Sequence, residues 1–289
     1  MLAFSGSRRL RAFNLACIAL CVARAGGASA PVEETRRWVP AFAIVGGLIG
    51  QESSATASSS VRPFAAGDQL MIAPFAGGAF EIMTPRVAAG FAQPRFFAHA
   101  DISFSFGFDY DVAKEGTPGA LVPPTQPTQE SAVPGQGSVT SAELELLVVT
   151  AGAGLAFTLE GFGQRFRIKP SFEYLREEIE VKGQVSRAMA LSTGPTTDYR
   201  LIEMSGRDSK TYHGIGPGLE LEMDTRRAGP FMLTLFLSGQ AYHLLGDREI
   251  AFSSSYSDAI GTESATWTFE PDPWAFRGSV GLRFRWIPD

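Results

Sequence analysis

His99, Asp101 and Ser103 stand at alternate positions of one stretch and carry the residue types of a base, an orienting carboxylate and a nucleophile. Alternation places all three on one face of a strand, with successive members ~6.6 Å apart along it. A working relay needs contacts of ~2.6 to 3.2 Å, which this spacing does not impose. A polar strand face accounts for the same trio. The other histidines, His213 and His243, have no serine two residues on. Both cysteines, Cys17 and Cys21, fall in the first thirty residues, which leaves three scattered histidines as a poor metal set. No catalytic residue, metal or cofactor is expected.

The stretch holding the trio is informative as a whole. Phe96, Ala98, Ala100, Ile102, Phe104, Phe106, Phe108 and Tyr110 alternate with Phe97, His99, Asp101, Ser103, Ser105, Gly107 and Asp109. Period-2 alternation over so many positions predicts a strand with one apolar and one polar face. Ordinary strands run to about five or six residues, whereas a tilted strand needs ~9 to 11 to cross a bilayer. The length therefore points to a membrane-crossing strand.

The ends and the composition narrow the setting. Arg8, Arg9 and Arg11 precede a short apolar core at 12–23, and Ala28, Ser29 and Ala30 offer a small-x-small cleavage pattern. Residues 1–30 are expected to be a cleaved export signal and 31–289 the mature domain, free of cysteine. Removing 1–30 takes away four arginines and no acids, moving the formal charge from −5 to −9. So acidic a chain argues against a nucleic-acid partner. Apolar runs after residue 30 stop at about fourteen residues and contain Gly or Pro, short of the ~20 that a helical span requires. In lipid, a chain without such helices satisfies its backbone only as a closed barrel.

Seven further segments resemble the first strand. The full set is 38–50, 71–83, 96–110, 143–159, 165–182, 214–223, 231–242 and 274–286, joined by expected loops at about 52–70, 112–140, 183–198 and 246–273 and by short turns at the other end. Prolines 118, 123, 124, 127 and 134 exclude a ladder strand from their part of the second loop. The pattern slips near Leu146, as a bulge would make it. The facing of 38–50 is left open, because it is apolar on both sides.

Export signal, eight amphipathic strands, loops long and short in alternation and a terminal strand closing on Trp286 together resemble the small outer-membrane β-barrels of the outer-membrane-protein-A-like kind. The resemblance implies an all-β, eight-stranded antiparallel up-and-down barrel in a Gram-negative outer membrane. Its expected partners are outer-membrane lipid and lipopolysaccharide, the barrel-assembly machinery, and an extracellular ligand met by the loops. Ile287, Pro288 and Asp289 follow Trp286, where this superfamily usually ends on the aromatic. Some relatives modify lipids, but no His-x-Ser arrangement like that of the lipid A deacylases is present. A small passive pore is the other reading. A soluble lipocalin-type barrel shares the alternation, but it would not need the unequal connections, the rim aromatics or the charged face.

With apolar faces toward lipid, Trp38, Phe96, Phe166, Phe231 and Trp286 are expected at one membrane interface and Tyr110 and Trp274 at the other. The lumen then gathers Glu81, His99, Asp101, Arg165, Arg167, Lys169, Glu173, Glu220, Glu222, Arg277, Arg283 and Arg285. Eight strands leave a bore that side chains fill, so these charges are expected to pair, Arg165 and Arg167 with Glu220 and Glu222. The facing is testable at adjacent residues. Phe104→Arg should lower the yield of folded barrel, since a cation near the lipid midplane costs ~2 to 4 kcal/mol, whereas Ser103→Arg points to the lumen and should behave differently. Equal harmlessness in a urea titration would reverse the facing.

Overall fold

The computed structural model describes residues 37–287 apart from 62–63, 88–91, 107–108, 122–133, 145–146, 162–163 and 192–198, so the expected export signal with Cys17 and Cys21 lies outside the described residues. The strands are β1 (Val39–Ser59), β2 (Ala65–Met83), β3 (Arg95–Ser105), β4 (Tyr110–Gly116), β5 (Gly137–Leu144), β6 (Leu147–Gly161), β7 (Gln164–Ala190), β8 (Tyr199–Ala228), β9 (Phe231–Leu244), β10 (Ile250–Ser257) and β11 (Thr262–Trp286). Eight of them form a ring in the order β1, β2, β3, β6, β7, β8, β9, β11, and β11 pairs back onto β1. Crossing the ladder from Ile49 through Arg277, Gln240, Gly218, Ser171, Gly154, Phe97 and Met83 returns to β1 at Val39, ten residues from the start. That stagger tilts the strands by ~40° and sets a bore that side chains can fill. Among the described residues no helix is long and apolar enough to cross a membrane.

The surface is inverted relative to a soluble protein. Phe42, Ile44, Leu48, Phe80, Ile102, Phe104, Phe172, Leu219, Leu237 and Phe276 are all exposed on the outside, while Glu81, Arg167, Lys169, Glu222 and Arg285 are buried within. So broad an apolar belt is unfavourable in water and ordinary in lipid. The chain is a transmembrane barrel. The facing of 38–50 is settled by the same burial, with Phe42, Ile44 and Leu48 outward and Ala41, Ala43 and Val45 inward.

Beyond the belt the strands continue as two four-stranded sheets, β10-β11-β1-β2 and β4-β5-β7-β8. β4 lies beside β2 and β10 beside β8, without a ladder between either pair among the described residues. The two sheets enclose an apolar cap of Ala55, Val112, Leu144, Val181, Ile202, Met204, Trp267 and Phe269 among others. Trp267 stacks on Phe252 at 5.4 Å and lies so close over Gly183 that a Cβ there would strike its ring.

This cap corrects several expected loops. Of 52–70, most belongs to β1 and β2; 112–140 contains most of β4 and the start of β5; β7 runs into 183–198 as far as Ala190; and 246–273 contains β10 and the first half of β11. Outside the membrane the outer face of a strand meets water, so Ser and Thr replace the apolar set and only the inner residues, such as Ala55, Ala57, Ala265 and Trp267, keep the alternation. Pro118 and Pro134 do fall between strands and Pro123, Pro124 and Pro127 lie outside the described residues, while Pro271 and Pro273 lie in β11 beside the register shift at Gln51/Ser53, where a ladder tolerates them. The expected strand 96–110 is broken after Ser105. The break changes phase, so Tyr110 stands in register with buried Ala142 and Val181 and its hydroxyl donates to the Ile72 carbonyl. Tyr110 is an inward residue and not an interfacial aromatic. β5 ends at Leu144 and β6 begins at Leu147; Leu146, near which the sequence pattern slips, lies outside the described residues.

The seam between β8 and β10 is held by side chains. The Arg200 guanidinium donates to both Asp258 oxygens at 2.9 and 3.0 Å, to Glu263 at 2.6 Å and to the Gly261 carbonyl at 2.8 Å. Lower down, Lys210 reaches Asp247 at 3.0 Å and the Tyr212 hydroxyl donates to the Arg248 carbonyl at 2.8 Å. The Arg200 hydrogen bonds hold the Asp258 carboxyl at about 2, below its ordinary 3.8. A depressed carboxylate pKa stabilises above the unfolded value and loses that contribution as pH falls through the folded one. The clasp should therefore hold at neutral pH and loosen between pH ~4 and ~2. In a chain keeping Trp267 as its sole tryptophan, the emission should shift across that window, and Arg200→Met should remove the step.

Candidate functional site in the barrel lumen

The lumen is layered. At the end where the short turns and both described chain ends lie, Val39, Met83, Phe97, Ala156, Met232 and Ile287 form an apolar floor. Ile287 donates its backbone N–H to the Pro230 carbonyl at 2.7 Å, so the residue after Trp286 is tucked under the barrel mouth. Arg95 adds polar closure there by donating to the carbonyls of Thr84 and Arg37, at 2.5 and 2.9 Å.

Above the floor, strand alternation brings four bases and four acids together: Arg167, Lys169, Arg283 and Arg285 with Glu81, Glu220, Glu222 and Asp224. Lys169 bonds Glu81, Glu220 at 2.5 Å and Glu222 at 3.2 Å. Arg283 donates to both oxygens of Glu220, at 2.6 and 2.9 Å, and also pairs with Glu222. Arg285 bridges Glu81 at 2.9 Å and Glu222 at 2.6 Å. Arg167 makes a two-pronged contact with Asp224, at 2.6 and 3.1 Å. Burial makes such pairing obligatory, since an isolated ion in this medium is strongly disfavoured. Three phenylalanines cover the cations: Phe97 lies 4.3 Å from Lys169, Phe236 4.5 Å from Arg283 and Phe75 4.1 Å from Arg277, an arrangement that adds cation–π attraction.

The next layer contains the trio of possible catalytic type. His99 Nε2 bonds Glu173 at 3.0 Å, with Ser171 donating to the same carboxylate. Asp101 takes Arg277 at 2.8 Å and the Thr150 hydroxyl. Ser103 donates to the Val148 carbonyl at 3.4 Å and receives Arg277 at 3.3 Å. Among the described residues no hydrogen bond joins the three to one another; each is a member of the polar filling. His213 and His243 face outward, His213 bonded to the Tyr174 hydroxyl at 2.7 Å and His243 edge-on to Trp274 at 5.1 Å.

Some expected contacts fall elsewhere. Arg165 meets Glu160 at 3.5 Å and stands off the register row of Glu220, which is taken by Lys169. The pairing follows from the register, Lys169 opposite Glu220 and Arg167 opposite Glu222, which the sequence does not fix. Asp224 belongs to the network although the sequence reading placed it in a turn. It is in phase with Glu220 and Glu222, so extending the strand by one step would have found it. Glu177 lies inside the expected strand 165–182, in phase with Glu173, and is buried beneath the cap with neither carboxylate oxygen bonded among the described residues. Phe75 and Phe236 break the polar rule of the inner face, and their role shows only in three dimensions. Trp38, Phe96, Phe231 and Trp286 are outward and exposed at one end and Trp274 at the other; Phe166 lies half-buried beside them. Glu81, Glu220 and Glu222 gather closely enough to chelate an ion, but Lys169, Arg283 and Arg285 already occupy the space between them.

A closed ring of eight strands, oily outside and ion-paired inside, is the architecture of the small outer-membrane β-barrels. Among solved structures the chain is similar to Ail, the attachment invasion locus protein of Yersinia pestis, at 9% identity and TM-score 0.24 over 84% of this chain and 98% of that one. It is also similar to the outer membrane protease OmpT from Escherichia coli, at 10% identity and TM-score 0.32 over 90% of this chain and all of that one. No protein-family model and no curated protein matches the chain. Likenesses this distant bear on neither activity nor partners, and the assignment of architecture rests on the ladder of this chain.

Glu222 contacts all four bases. Glu222→Gln should therefore destabilise the barrel by ~3 to 5 kcal/mol, the cost of leaving buried charge uncompensated. Pairing it with Arg283→Met should recover a large part of that loss. Urea midpoints of the heat-modifiable band would measure both.

Proposed function

We propose that the chain is a non-conducting, non-enzymatic outer-membrane barrel, exported through residues 1–30, whose biological role is structural or lies in contacts made by its surface cap. The observation that carries this reading is the layering of the lumen. An apolar floor, a balanced charge layer and an apolar cap lie in series along one bore, and Eight strands leave little room beside them. Non-enzymatic function is supported by the engagement of His99, Asp101 and Ser103 in separate bonds. Because binding residues tend to sit on exposed segments held by a rigid scaffold, the extracellular partner is sought on the cap. The barrel-assembly machinery and the lipids of the outer membrane are the remaining partners of this reading.

Two measurements test it. The mature chain should fractionate with outer membranes and migrate differently before and after heating, and recovery as a soluble periplasmic protein would overturn the reading. Purified barrel in a planar bilayer should show no steady conductance. Reproducible channels from the unmodified protein would replace it with a small pore lined by the same charges.

A further inference from the structure

The outer face of one cap sheet carries a regular array of hydroxyl groups. On β1, Ser54, Thr56 and Ser58 point outward, alternating with buried Ser53, Ala55 and Ala57. The register sets Ser58 opposite Thr266, and Thr266 opposite Ser253 on β10. One step toward the membrane, Thr56 lies opposite Thr268; one step away, Ser264 lies opposite Ser255. All are exposed except half-buried Thr268. Rows stand ~4.8 Å apart across strands and ~6.6 Å along them. Charged residues of this face gather at its membrane end: Asp68 and Glu270 stand opposite Ser54, Arg248 pairs with Glu270 at 2.8 Å, and Glu52 lies one step nearer the membrane.

This surface excludes most partners by its chemistry. Beyond its membrane end it has no cation for a nucleic acid, exposed Phe64 just before β2 is the aromatic at its margin, and serine is depleted in protein interfaces. A hydroxyl both donates and accepts, so an uncharged lattice of them complements a partner that is itself a neutral array of hydroxyls. The lattice is also pre-organised. Thr56 and Thr268 are bonded at 2.5 Å, Ser54 donates to the Glu270 carbonyl at 3.4 Å, and the other side of the same strands packs Trp267 and Phe269 into the cap. Short side chains on a rigid sheet lose little entropy on binding. Because the strands continue the barrel wall, this face looks sideways, over the adjoining lipid.

We propose that the Ser/Thr lattice of β1, β10 and β11 is a docking surface for the neutral sugar chain of a glycolipid standing in the same outer leaflet. The proposal rests on the outer-membrane reading and names the partner of its cap.

The test uses the full mature chain in nanodiscs, with heat-modifiable migration as proof of an embedded fold. The probes are lipopolysaccharide bearing a neutral O-polysaccharide, the same lipopolysaccharide without it, and the released polysaccharide. Retention should be at least tenfold greater with the O-polysaccharide than without, and should fall at least tenfold in a Thr56→Val, Thr266→Val, Ser253→Ala variant that keeps its heat shift. A control variant on the opposite sheet, Ser205→Ala with Glu203→Gln, should leave retention unchanged. Equal retention of both lipopolysaccharides, or an unaltered triple variant, would overturn the lattice as the site. Released polysaccharide binding as tightly as the membrane-anchored form would overturn the glycolipid as its source. A chain with no heat shift in nanodiscs would instead overturn the membrane reading beneath the proposal.

Discussion

The pairing of β1 with β11 is the interaction on which the rest of the structure depends. Within lipid there is no water to satisfy backbone N–H and C=O groups, so a sheet must close without an edge. Closure with eight strands and a stagger of ten residues fixes a narrow bore, and the bore fixes what the inner residues can be. Their outward neighbours are free to be Phe, Ile and Leu because lipid is their solvent. Those inside must fill the space and satisfy each other, which is why Lys169 touches three carboxylates and Arg285 two.

Charged filling is not the only way to plug a narrow barrel, and buried ion pairs are weak evidence for stability, since well-packed apolar residues often do as well. What the pairs do impose is specificity. A one-residue slip of β7 against β8 would turn Arg167 and Lys169 toward lipid and Phe166 and Ile168 inward. Each charge therefore marks the register, and the apolar floor and cap keep competing water from the pairs.

The cap is built on a different solvent and follows different rules. Above the lipid the same strands face water, their outer residues become Ser, Thr, Asp and Lys, and the sheet divides into two halves around Trp267 and its neighbours. Ladder bonds are replaced at the β8/β10 seam by Arg200 and its carboxylates. The cap presents sheet faces as much as turns to its surroundings, because the long connections are themselves largely strand.

Within the membrane the sequence by itself determined most of the fold. Lipid demands one apolar residue in two, so strands such as Phe96 to Phe106 announce their period, their facing and their length. The lumen set was legible for the same reason, since any charge on the alternate face must point inward. The partners were not. Lys169 rather than Arg165 meets Glu220 because of the register between β7 and β8, and Arg283 reaches Glu222 across the bore from β11, relations between residues over fifty positions apart. Tyr110 was misplaced because β3 ends at Ser105 and β4 opens at Tyr110 in the other phase, a change that nothing in the intervening sequence announces. The cap was hidden because water on its outer face demands no apolar residue, leaving only Ala55, Ala57, Val181 and Trp267 to keep time. Only the tertiary structure brought those scattered inner residues into one core, where sheet packing and not local pattern decides what is strand.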